Sequence, residues 1–317
     1  MIMNSKTLIP KLVAVFGFLL QAGLVQAADL RGDMTASDWI ELNPELQGAE
    51  FVKSDSECLE CHQEYMEKFA MTPMGRSLPD GGCESCHGPM SKHLDAPRRK
   101  PALVVSLGDH SNVSTDQQSA ICSQCHQDGL QMHWATSTHA AAGNTCINCH
   151  EVMAVEDPVR DRMEQPQVCF QCHQDKRAQV NKRSHHPVLQ GKVVCSDCHN
   201  PHGSAGPSQL AEDTINETCY ECHQEKRGPF LWEHQPVRED CTNCHNPHGS
   251  NQPRMLTVRQ PWLCQQCHGE AYHPATFYDG NSVPPNGAAQ QVLGRSCTNC
   301  HSVIHGSNHP SGSRFTR

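Results

Sequence analysis

Cys195-Ser196-Asp197-Cys198-His199-Asn200-Pro201-His202-Gly203 returns 46 residues later as Cys241-Thr242-Asn243-Cys244-His245-Asn246-Pro247-His248-Gly249. The first five residues of each copy are Cys-x-x-Cys-His, and this pentapeptide decides the fold. Two cysteines three apart can form thioethers to the two vinyl groups of one haem. The next residue, histidine, is then held under the ring and ligates the iron. All twenty cysteines of the chain fall in this pattern. The motifs are Cys58-Cys61-His62, Cys83-Cys86-His87, Cys122-Cys125-His126, Cys146-Cys149-His150 and Cys169-Cys172-His173. They continue with Cys195-Cys198-His199, Cys219-Cys222-His223, Cys241-Cys244-His245, Cys264-Cys267-His268 and Cys297-Cys300-His301. Zinc sites and redox dithiols also use Cys-x-x-Cys, but neither requires histidine in the next position. Ten repetitions with no cysteine left over exclude both, and exclude a disulfide framework. The expected cofactors are ten covalently bound c-type haems.

The motifs alternate in kind. The odd ones carry an acid two places after the histidine: Glu64, Asp128, Asp175, Glu225 and Glu270. The even ones do not. Odd motifs begin at residues 58, 122, 169, 219 and 264, so the chain reads as five tandem two-haem modules, about 58–121, 122–168, 169–218, 219–263 and 264–317. Short helices are expected to carry the motifs, joined by turns rich in Gly, Pro and Asn. The expected fold class is mostly α and irregular: an elongated multihaem cytochrome c whose haems form the core. The longer spacers, 94–121 with Arg98-Arg99-Lys100 and 274–296, read as solvated loops, with partner contact as the sharper alternative.

Of 22 histidines, ten are proximal and twelve remain. The repeat assigns most of these as distal ligands. Each module has one slot between its motifs and a second just after its even motif. The first slot holds His139, His186, His234 and His273 in modules 2 to 5, with His185 as the local rival of His186. The second holds His93, His202, His248 and His305. Two slots lack histidine. Module 1 has Met71 and Met74 between its motifs, and Met74 lies where the repeat wants a ligand. Module 2 has Met153 in the position of His202 and His248. A thioether is an axial ligand that raises haem potential. The competing reading makes Met74 and Met153 packing residues, with His110 or His133 supplying the imidazoles.

Lys6 and Lys11, an apolar run from Leu12 to Val25, and Val25-Gln26-Ala27 read as a signal peptide cleaved after Ala27. The run is shorter than the ~20 residues of a spanning helix. Residues 28–57 form an N-terminal segment and 58–317 the decahaem domain. The net charge of −9 becomes more negative when the leader is lost and propionates are added, which argues against a nucleic-acid partner. Only 37% of residues are hydrophobic and 5% aromatic, thin for a conventional core. With roughly 29 residues per haem after cleavage, the porphyrins must supply the core.

The segments Asn181 to Pro187, Glu225 to His234, the two Asn-Pro-His-Gly turns and the tail His305 to Gly312 go beyond generic haem motifs. On these residues the chain resembles the MtrA/DmsE-type periplasmic decahaem cytochromes, a group that includes the PioA and MtoA proteins of iron oxidisers. The resemblance implies association with an outer-membrane β-barrel porin that insulates the row of haems. It implies a periplasmic electron carrier on one side, and an extracellular cytochrome, mineral or Fe(II) on the other. Electrons would then serve extracellular Fe(II) oxidation or metal reduction. The methionines Met74 and Met153 depart from the histidines the resemblance leads one to expect, and bear on the direction of flow. A free periplasmic electron shuttle and a multihaem reductase enzyme are the alternatives. The reductase needs an iron with an open site, whereas candidate distal ligands suffice for every iron, so the chain reads as a carrier and not an enzyme.

If the haems are the core, the haem-free chain is expected to lack native secondary structure. A native-like far-UV circular dichroism spectrum of that chain would refute this.

Overall fold

The computed structural model describes residues 34–52, 56–78, 82–98, 103–268 and 296–316. The expected signal peptide, His273, Glu270 and nearly all of the 274–296 spacer lie outside them.

Each motif folds as one helical turn. The backbone N–H of the motif histidine donates to the carbonyl of the first cysteine, at 2.9 to 3.1 Å in the nine motifs from Cys83 to His301. That bond gathers residues three and four apart on one face, so both sulfurs and the imidazole can meet one ring. The turn then stops. His62, His173 and His223 leave helical backbone angles, with ψ of 28°, 60° and 46°.

The two kinds of motif differ in how the chain enters them. Helix α1 (Ala36–Leu42) precedes the motifs, and α2 (Ser56–Met71) carries the first. The other odd motifs begin at the ends of α3 (Thr115–Ser123), α4 (Gln165–Phe170), α5 (Ile215–Tyr220) and α6 (Trp262–Gln265). Local chemistry starts these helices. Ser114 and Gln117 form a reciprocal capping box at α3, and Thr214 Oγ1 accepts from Glu217 N at 3.1 Å at α5. Four even motifs open instead with single 3-10 turns, at Cys146–Asn148, Cys195–Asp197, Cys241–Asn243 and Cys297–Asn299, while the second lies on the short α-helix Glu84–His87. Among the described residues there is no sheet, only isolated bridges. His199–Leu210 and His245–Leu256 lie within modules; Ser184–Ser250 and Trp232–Ser307 fasten module 3 to 4 and module 4 to 5.

One apolar cluster is built without haem. Trp39, Leu46, Ala49, Val105, Val113 and Ile121 are buried together near the N-terminal end. This corrects the reading of spacer 94–121 as a solvated loop. Val105 is fully buried, and the Val105 N–H donates to the His87 carbonyl at 3.0 Å. The spacer's apolar residues are too few to form a helical stripe, which is why their burial does not show as a periodic pattern.

The cysteines are not joined in disulfides, and their positions set the modules in series. Within modules 2 to 5 the first cysteines lie against each other: Cys122 by Cys146, Cys169 by Cys195, Cys219 by Cys241 and Cys264 by Cys297. Between modules the second cysteine of the even motif approaches the next odd motif. Cys86 faces Cys125, Cys149 faces Cys172, Cys198 faces Cys219 and Cys222, and Cys244 faces Cys267. Attachment points therefore follow each other in space as in sequence.

The Asn-Pro-His-Gly turn is where one module meets the previous one. The Asn200 side chain accepts from His202 N at 3.2 Å and donates to the carbonyls of Gly203 and Leu130 at 2.7 and 2.9 Å. Gly203 has φ +104°, and a Cβ there would lie 2.7 Å from the His133 carbonyl oxygen. Gly143 also has positive φ, +80°, but open space around it. Both Ala variants incur backbone strain of about 1–2 kcal/mol; only Gly203→Ala adds a clash. Gly203→Ala is expected to lower the Tm further than Gly143→Ala, and equal shifts would show that the close approach is unimportant.

Candidate haem sites

Seven pairs of histidine rings face each other across matching gaps among the described residues. His62 faces His93 at 6.4 Å between centroids, His150 faces His202 at 6.0 Å, and His173 faces His139 at 6.0 Å. His199 faces His248 at 6.1 Å, His223 faces His186 at 6.3 Å, His245 faces His305 at 6.2 Å, and His268 faces His234 at 6.0 Å. These gaps fit haem. Two imidazoles bound to one metal at about 2.0 Å each, with about 1.1 Å from nitrogen to centroid, stand roughly 6.2 Å apart. Each pair joins a motif histidine to a histidine of a distal slot.

The pairing is staggered. First-slot histidines serve the odd motif of the next module: His139 reaches His173, His186 reaches His223, and His234 reaches His268. Second-slot histidines serve the even motif of the preceding module: His202 reaches His150, His248 reaches His199, and His305 reaches His245. At the N-terminal end His93 stays within its own module, opposite His62. His185, the rival of His186, instead bonds the His186 carbonyl through Nδ1 at 2.6 Å. Among the described residues no imidazole faces His87 or His126. Met74 is half-buried on the short helix Pro73–Ser77, and Met153 is 45% exposed.

Ring orientation is fixed from behind. His139 Nδ1 bonds the Pro201 carbonyl at 2.7 Å and His186 Nδ1 the Pro247 carbonyl at 2.9 Å. The residue after each proline, His202 or His248, itself faces a motif histidine, so one turn positions two imidazoles of different pairs. Four of the five even-motif histidines bond backbone carbonyls further along the chain. His87 uses Val105 (2.7 Å), His199 uses Ser208 (3.1 Å), His245 uses Arg254 (2.8 Å) and His301 uses Arg314 (2.5 Å). Ser208 and Arg254 have φ of +53° and +60°, strain of about 1–3 kcal/mol that non-glycine residues accept at ligand clamps. With Nδ1 occupied, Nε2 is left as the ligating atom. Burial lowers the affinity of His202 and His87 for protons. It pulls His248 and His305 down to about 4, aided by Lys176 and Lys226 respectively. These imidazoles are neutral at physiological pH, the form that binds metal.

Sequence comparison converges on the same centres. The chain is 39% identical over 336 residues to "Multiheme cytochrome MtrA" of Shewanella baltica (strain OS185), covering 99% of both proteins. It belongs to the MtrA-type multihaem cytochromes. The doubled CXXCH motif family matches residues 185–228 and 234–273, the NrfB-like cytochrome c-type family residues 83–164, and the cytochrome c554 and c-prime family residues 31–88. Covalent c-type haem and electron transfer follow for this MtrA-type chain. Haem, when bound, supplies one-electron cycling of its iron between ferric and ferrous states.

Seven of the histidines expected as distal ligands lie opposite motif histidines; the crossing between modules and the backs of the rings were not read from the sequence. Nor was Asp157, whose carboxylate meets His150 Nδ1 at 2.6 Å. No motif surrounds that residue.

His202→Ala in the mature protein is expected to give one haem a high-spin ferric signal by electron paramagnetic resonance, and so is His186→Ala. His185→Ala is expected to leave the spectrum low-spin. A high-spin signal from His185→Ala alone would reverse the assignment at that pair.

Proposed function

We propose that the chain is a ten-haem conduit, delivered to the periplasm by the leader 1–27, which passes electrons across the outer membrane inside a β-barrel porin. The observation that carries this reading is the staggered ladder: seven matched imidazole pairs, six of them bridging two modules, with attachment cysteines in succession from Cys86 onward. No described helix is long and apolar enough to cross a membrane. A charged row of haems in lipid needs a shield, and a closed barrel satisfies its own backbone there. A periplasmic carrier would exchange electrons at one end, and an extracellular cytochrome, a mineral or Fe(II) at the other.

The stagger also supports a reading of the two methionines. Continued to the first module, it would set Met74 opposite His126 and Met153 opposite His87, motif histidines that no imidazole faces among the described residues. The mirrored end effect assigns His273 to His301. Two adjacent His/Met haems near the N-terminal end would be high-potential acceptors, suited to electrons arriving from external Fe(II).

Two measurements test this. Met74→His and Met153→His should each remove part of the thioether-to-iron absorption band of the oxidised protein and lower the potential of one haem. A wild-type spectrum without that band sinks the methionine assignment. For the conduit, the holoprotein purified from its native membrane should bring a large β-barrel with it, and liposomes holding that pair should reduce an enclosed dye from external dithionite. Recovery of the cytochrome alone, from the soluble fraction, would favour the free shuttle.

A further inference from the structure

Four of the five even-motif histidines repeat one arrangement, and the fifth departs from it. His87, His199, His245 and His301 each bond a backbone carbonyl through Nδ1. His150 bonds the Asp157 carboxylate instead, Nδ1 to Oδ2 at 2.6 Å. The other carboxylate oxygen is held by the amides of Glu151 at 3.2 Å and Val159 at 3.4 Å. The Asp157 side chain is 16% exposed and His150 31%. Arg162, five residues on, is committed to Asp197 at 2.7 Å.

The molecule supplies its own control. His150 with His202 and His199 with His248 have the same ring spacing, 6.0 and 6.1 Å, and the same angle between planes, 8°. The acceptor behind the motif histidine separates them, a partly buried carboxylate in one and a peptide carbonyl in the other, as do the Lys176 and Asp175 charges near His248, which His202 lacks. A carboxylate forms a stronger, charge-assisted bond to imidazole N–H. It raises the basicity of the ligating nitrogen and adds negative charge near the iron, both of which favour the ferric state.

We propose that Asp157 sets the potential of the haem on Cys146, Cys149 and His150, holding it below that of the haem on Cys195, Cys198 and His199. The proposal rests on the reading of both motifs as bis-imidazole haem sites. The couple involved is a single electron. The ferric iron takes it from a neighbouring ferrous haem, which becomes ferric, and the Nδ1 proton stays between His150 and Asp157. No other reactant takes part. An electron moving along the row meets an uphill step at the fourth motif, placed by one side chain. Asp157 is thus a positioning and tuning residue that acts through His150.

The test is a spectroelectrochemical titration of the full holoprotein, wild type against Asp157→Asn and Asp157→Glu. Haem content is measured in parallel, and mass spectrometry of the 146–149 peptide checks attachment. Asp157→Asn keeps an acceptor but removes the charge. It is expected to raise the reduction equilibrium of one haem about tenfold, about 59 mV for one electron, while the remaining haems overlay. Asp157→Glu is expected to stay close to wild type. Superimposable titrations of Asp157→Asn and wild type, at equal haem content, overturn the proposal; so does an equal shift in both variants, which marks a packing effect. If Asp157→Asn does not mature, near-infrared magnetic circular dichroism of the oxidised wild type decides. One bis-imidazole band displaced toward the imidazolate position supports the proposal, and a single undisplaced set overturns it. A 146–149 peptide without haem would defeat the underlying reading, and the proposal with it.

Discussion

The hydrogen bond from His139 to the Pro201 carbonyl, repeated from His186 to Pro247, is the contact on which the rest of the ladder hangs. It fixes an imidazole of one module against the turn of the next. The following residue, His202 or His248, then faces a motif histidine of the earlier module, His150 or His199. Two imidazole pairs are set by one turn, so neither ring can move without the other. The Asn side chain that closes the turn and the glycine that lets two backbones pass follow from this single requirement.

The energetics agree with this division of labour. One small apolar cluster around Trp39 and Val105 stabilises the N-terminal end, and elsewhere buried apolar side chains such as Phe170, Val180, Val194 and Leu263 are scattered. A chain of this kind cannot offset its conformational entropy by burying its own side chains. Covalent attachment and axial ligation take over, because each bond to haem or iron also orders the segment that makes it. Strained backbone at Ser208 and Arg254 is tolerated because those carbonyls back a ligand.

The modules were legible because Cys-x-x-Cys-His is a chemical constraint within one turn, read directly from spacing. The histidines that face the motifs were legible because the repeat keeps register between His186 and His234, or His202 and His248. The partners were not. His139 and His173 are neighbours in sequence terms only at the scale of a whole module, and nothing local distinguishes reaching forward from reaching back. The buried spacer was missed because Leu103, Val105 and Val113 carry no helical or strand period. Asp157 was missed because an acidic residue seven places after a histidine is ordinary on any solvated loop.

The stagger has a consequence for how such a chain can grow. A two-motif unit excised at the module boundaries would leave with ligands for its neighbours' irons and without ligands for its own. The repeat that can be copied is therefore out of phase with the modules. It runs from a first-slot histidine through an even motif to the following odd motif, the frame of residues 185–228 and 234–273. Duplication of that unit in the interior preserves every crossing, whereas addition at a terminus breaks one. The first module, with His93 turned inward to His62, is an end-piece, so lineages with longer or shorter rows should differ in their middles and agree at their tips.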